Sequence, residues 1–336
     1  MKNGVRMSDI ARALGVSSVT VSKALADKEG VGEELRAKIK ATAEQMGYSY
    51  VPTIGKLAAD CTGTVGVVIA QRYTKPEHSF YWSMSQNIIQ SLKKARHLGL
   101  IEIVREEEES AGILPPFADT GRVDGIIVLG TMSTAYLKKL HQTGLSLVLV
   151  DFYNDEVPAS AVTADSFLNS FRISSYLYQM GHREIGFVGS LWANSGIQDR
   201  FFGYCKALLV HGLPYYEDWI LEDREDDNFR QTFQLPEHLP TAFVCNCDQT
   251  AYHFIRYLQS QGYRVPEDIS VVGFYDYIFA TMCDPQLTTI YVDLAAMAEE
   301  AVSAVFRLRN GPGQAETITV KGKLVCRDSV RRLEPM

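Results

Sequence analysis

In the first 47 residues, apolar positions fall into three short runs at helical spacing, separated by polar turns. The run from Ser8 to Leu14 carries Ile10, Ala11 and Leu14 on one face, and Gly15 can close it in a left-handed turn. Ser17 is placed to cap a second helix, Ser18 to Leu25, whose Val21, Ala24 and Leu25 face inward. A turn over 27–32 leads to a third helix, Glu33 to Met46, which turns Leu35, Ile39 and Ala43 inward and stops at Gly47. Two helices joined by a short glycine-containing turn and braced by a third predict a helix-turn-helix, with a plain three-helix bundle as the alternative. The exposed face of the second helix, Ser18, Val19, Thr20, Ser22 and Lys23, is small, hydrogen-bonding and basic, which suits a DNA major groove.

From Val65 the period changes. Near-continuous apolar runs at 65–70, 101–104, 125–130, 145–151, 185–190, 241–246 and 269–274 read as strands. Between them lie amphipathic stretches, Ser79–Leu98, Ser166–Gly181, Asp199–His211, Gln249–Gly262 and Leu294–Asn310. Alternation of this kind predicts parallel sheets with helices on both faces. Seven or more strands exceed one comfortable sheet, so two lobes with a cleft at the strand carboxyl ends are expected. The fold class is therefore an N-terminal all-α helix-turn-helix domain followed by a two-lobed α/β domain.

Composition changes this picture little. The 336 residues are 46% hydrophobic and 22% charged, as in ordinary globular proteins. No apolar run approaches a membrane span and the N-terminus lacks a signal core, so a cytoplasmic location is expected. The net charge of −7 is uneven: residues 1–60 hold nine Lys and Arg against seven Asp and Glu, leaving the remainder strongly acidic. A faintly basic head on an acidic body fits a protein that touches nucleic acid at one end. Six cysteines include no CxxC pair; Cys245 and Cys247, two apart in an apolar run, are read as buried thiols or as a metal or redox pair.

The run MSDIARALGVSSVTVSKALADKEGVGEELRAKIKATAEQMGY resembles, without a gap, the DNA-binding head of the lactose-repressor family of bacterial regulators. The resemblance implies that Ser18, Val19 and Lys23 read bases, while Ser17, Thr20 and Ser22 grip phosphate or brace the helix. Family members commonly carry arginine where Lys23 stands; lysine lacks the fixed fork and discriminates less. Residues 48–64 match the family's hinge, where Leu57 would wedge into the minor groove, but this stretch is shorter and holds Gly55, so a plain linker is the alternative. GHREIGFVG, YRVPEDISVVGF and DPQLTTI extend the resemblance across the body, which implies a periplasmic-binding-protein-like fold. The implied domains are a head at 1–47, a linker at 48–64 and a body at 65–332. Within the body, one lobe spans about 62–161 plus 292–320 and the other about 162–291 plus 321–332.

Candidate effector residues lie beyond strand ends. Tyr81 can stack on a sugar ring and offer its hydroxyl; Asp151, with Phe152 beside it, ends the fourth strand. Arg200 opens a helix, where a guanidinium opposes the helix dipole and invites an acceptor-rich partner. The resemblance assigns effector contact to Arg200, favours it for Asp151 over a loop cap, and places an aromatic at Tyr81. The family's Gly-aromatic-Asp pattern reads Gly273-Phe274-Tyr275-Asp276 here, and Cys247 replaces the usual asparagine. Both changes are expected to remove polar contacts and to shift the effector from a plain sugar towards an aromatic glycoside. No GxSxG, Walker, HExxH or GxGxxG context occurs, so no catalytic residue, metal or cofactor is expected. The expected protein is a DNA-binding regulator, acting as a homodimer on a pseudo-palindromic operator under a sugar or glycoside effector. The alternatives are a solute-binding protein and a regulator without ligand control.

Overall fold

The computed structural model describes residues 7–25, 31–46, 62–74, 79–225, 228–310 and 315–334. The chain divides into two units, Met1–Asp60 and Cys61–Met336.

The head consists of helices Met7–Leu14, Ser18–Leu25 and Glu33–Gln45. Gly15 takes a φ of 65°, and the Val16 amide closes back on the Ala11 carbonyl at 3.0 Å, which ends the first helix. The Ser17 hydroxyl accepts from the Thr20 amide at 3.1 Å and so starts the second. Ile10, Ala11, Val21, Ala24, Leu25, Ile39 and Ala43 are buried together and hold the three helices as one core.

In the body, a six-stranded parallel sheet runs Thr317–Val320, Ser160–Ala164, Ser146–Val150, Gly125–Leu129, Thr64–Ala70, Leu98–Val104. A four-stranded parallel sheet runs Ser270–Val272, Ala242–Cys245, Ile185–Val188, Ile220–Leu221. The central strands are buried along their whole length because helices cover both faces. Each sheet with its helices forms a lobe. An antiparallel pair, Thr289–Val292 with Gly322–Val325, runs where the chain passes between the lobes. Among the described residues, no helix is long and apolar enough to cross a membrane.

Three local expectations need correction. The helix expected over Ser79–Leu98 ends at Lys94, where Arg96 takes a φ of 62°, and Leu98 already belongs to the next strand. The helix expected from Asp199 begins at Ser195, because the Asn194 side chain accepts from the Ile197 amide at 2.9 Å. The strand expected over 241–246 ends at Cys245, and Cys247 caps the helix Asp248–Ser260.

Candidate functional site

The head presents the Ser18–Leu25 helix. Ser18, Val19, Ser22 and Lys23 fall on it, and Lys23 is exposed. Thr20 is half-buried, and its hydroxyl lies 2.8 Å from that of Ser17, so these two brace the helix start. Leu57 lies outside the described residues.

The body places a cavity at the carboxyl ends of both sheets, lined from one lobe by Tyr73, Phe80, Tyr81 and Asp151. From the other come Asn194, Ile197, Arg200, Arg224, Phe229, Asn246, Cys247, Gln249, Tyr275 and Tyr277. About 50 Å³ of free space remains between them.

Tyr81, Asp151, Arg200 and Tyr275 converge there as a hydrogen-bonded chain. The Tyr275 hydroxyl donates to Asp151 Oδ1 at 2.6 Å and accepts from Arg200 Nη1 at 2.9 Å. The Tyr81 hydroxyl donates to Asp151 Oδ2 at 3.1 Å. Burial raises the Asp151 carboxyl above its usual range, against the pull of Arg200 and of both phenols. Burial also raises the Tyr81 and Tyr275 phenols, and Asp151 adds to both, so they stay neutral donors. The loss of polar contact expected from the Tyr275 replacement is therefore not what the structure shows. The phenol reaches further than an aspartate and joins the polar groups of both lobes.

Arg200 lies in the second turn of its helix rather than at the start, so its place follows from Tyr275 and Asp151 and from the Phe274 ring 4.9 Å away. Phe152 and Asp276 do not line the cavity. Phe152 is buried in the core on the far side of the first sheet, since adjacent residues leaving a strand point to opposite faces. Asp276 pairs with Arg327 at 2.7 Å.

The floor of the cavity is held by a carboxylate that the sequence did not single out. Asp223, fully buried, takes two hydrogen bonds from Arg224 at 3.0 Å, and others from the Ser190 amide, Asn246 and Thr250. Although burial opposes it, these partners hold Asp223 far below the usual carboxylate range. Ionised Asp223 thus fixes Arg224 and Asn246 towards the cavity. In the sequence Asp223 and Arg224 sit within LEDREDDNFR, a charge run indistinguishable from a solvated loop. Gln249 Nε2 and Arg200 Nε are buried without a hydrogen-bond partner. Among the described residues, no group of three or more His, Cys, Asp or Glu could hold a metal ion.

Comparison with known proteins agrees with this division of the chain. Residues 6–50 match the model for bacterial regulatory proteins of the lacI family, and residues 175–330 match a periplasmic binding protein-like domain. The chain joins a lacI-family head to a periplasmic-binding-protein-like body. A probable transcriptional repressor of Bacillus subtilis, ExuR, is 26% identical over 98% of this chain and 99% of its own. The lac repressor dimer bound to operator and an anti-inducer superposes with a TM-score of 0.74 at 19% identity, over 98% of this chain and 100% of that one. A complex of the regulator CelR with cellobiose gives 0.68 at 20% identity, over 97% and 99%. These two structures share the fold: a lacI-type head followed by a periplasmic-binding-protein-like body.

Proposed function

We propose that this lacI-family repressor binds a pseudo-palindromic DNA operator as a homodimer and that a sugar or glycoside seated between the lobes controls its affinity. Ser18, Val19 and Lys23 read bases, while Ser17, Thr20 and Ser22 grip phosphate or brace the helix. The observation that carries the reading is the convergence of Asp151, Tyr81 and Arg200, from two lobes, on one cavity at the strand ends. An effector that prefers one lobe arrangement must shift operator affinity by the same free energy by which DNA shifts effector affinity.

The cavity favours an aromatic glycoside over a plain monosaccharide. A ligand that moves Tyr275 aside has to replace both its hydrogen bonds and its tilted ring contact with Phe80, whose ring centroid is 4.3 Å away. An aromatic ring that carries a hydroxyl replaces both as Tyr275 makes them; the hydroxyls of a monosaccharide replace the hydrogen bonds, and its C–H face gives Phe80 a less extended contact than an aromatic ring does. A duplex selected from random sequence, followed by fluorescence anisotropy, tests the control. Release by a glycoside in a panel of sugars and aryl glycosides supports it, and thermal stabilisation by monosaccharides alone removes the aromatic preference.

A further inference from the structure

We propose that Tyr275 is a built-in occupant of the effector site, filling the place of a ligand hydroxyl and holding the two lobes together with no ligand bound. The inference rests on the reading of this cavity as the effector site. Its phenol uses its one donor on Asp151, from the lobe of the six-stranded sheet, and accepts from Arg200, on its own lobe. Asp151 in turn has both oxygens engaged, by Tyr275 and by Tyr81. The ring completes the closure: it lies against Phe80 of the opposite lobe, and the Arg200 guanidinium stands 5.2 Å from its centroid. Tyr275 is 6% exposed, so water cannot easily take over these bonds.

Backbone geometry supports a constrained role. Tyr275 has a φ of 99° and Asp151 a φ of 72°, both in the region that side chains with a Cβ rarely enter. The Tyr275 backbone is held there by the segment passing between the lobes: its amide donates to the Ile290 carbonyl at 2.8 Å, and its carbonyl accepts from the Val292 amide at 3.3 Å. A phenol pinned at its base to the crossing strand and at its tip to the opposite lobe acts as a latch. Two further hydrogen bonds between the lobes are longer, the Tyr153 hydroxyl with Asp199 at 3.3 Å and the Tyr153 amide with Ser195 at 3.5 Å.

Hydrogen exchange on the full-length chain, with neither DNA nor sugar added, separates this latch from a local structural role. In Tyr275→Phe, amides at 273–277 and also at 148–153 across the cleft exchange faster by about tenfold or more, the opening expected on losing a hydrogen bond to a charged group. Asp151→Ala, made from the opposite lobe, gives the same pattern in both segments. Faster exchange confined to the substituted residue's own segment, or no change in either variant, overturns the proposal. Because no effector is used, failure of the sugar panel leaves this result unaffected.

Discussion

Lys23 is where specificity of the head can be read most directly. It is exposed on the Ser18–Leu25 helix, and an ammonium on a helix laid in the major groove can donate to guanine O6 or N7. Lys23→Ala is expected to weaken operator binding by about 1–3 kcal/mol and to relax sequence choice at one position; an unchanged binding profile removes it from the reading set. Lys23→Arg should sharpen that choice, because the guanidinium fork fits guanine in two bonds. In the body, Arg200→Ala is expected to abolish any glycoside-induced release while leaving operator affinity intact. Anisotropy with and without glycoside checks both halves, and loss of DNA binding by a folded mutant contradicts the assignment. At this scale the sequence was readable at Asp151, which follows the end of its strand as expected, whereas Arg200 reaches the cavity from the second turn of its helix and not from the helix start that singled it out. It misled at Tyr275, because the reach of a phenol across a cleft depends on how far apart two non-adjacent segments lie. Arg224, Asn246 and Gln249 had no local signal at all: each belongs to the cavity only through long-range packing.

Elements with strong periodicity were legible and their ends were not. The three head helices follow from caps and stops within the sequence, Ser17 and Gly15 above all. The start of the helix carrying Arg200 depended on whether Asn194 capped it or remained in a loop, and the short strands Ile220–Leu221 and Arg224–Glu225 are too brief to show alternation. The helices Ser166–Gln179 and Ser195–His211 pack so closely that a Cβ on Gly203 would run into the backbone carbonyl of Phe167. Gly203→Ala gains about 1 kcal/mol in helix propensity. The clash outweighs that gain, because a backbone carbonyl cannot swing aside and overpacking costs about 1–3 kcal/mol. Urea denaturation should show a net loss of stability; a more stable mutant would mean that the helix pair can separate freely.

For the whole molecule, two buried groups in the second lobe give opposite responses to pH. His182, bonded to Thr241 at 2.9 Å and to the Arg331 carbonyl at 3.2 Å, has its pKa lowered by burial to about 4. Its contribution is present above the unfolded value near 6.5 and is lost as pH falls towards 4. Asp248, enclosed beside Thr289 and the Tyr277 amide, is raised by burial to about 8. Its contribution is complete below the ordinary carboxylate value and is lost as pH rises through 8. Between about 6.5 and 4 the two effects oppose each other. Asp248→Asn removes one, so its Tm should fall more steeply on acidification than that of the parent chain; parallel Tm profiles would show that Asp248 is ionised throughout.

The two-unit division, with a helix-turn-helix ahead of a two-lobed body, ties these scales to one central claim: the chain recognises a particular DNA sequence through its head. Selection of bound duplexes from a random library, read by sequencing, tests it most directly. Enrichment of a two-fold pseudo-palindrome, with loss of preference at one base pair of each half-site in Lys23→Ala, is the predicted result. Equal recovery of all sequences at physiological salt would contradict it, and enrichment that Lys23→Ala and the parent chain share at every position would remove Lys23 from the residues that read bases.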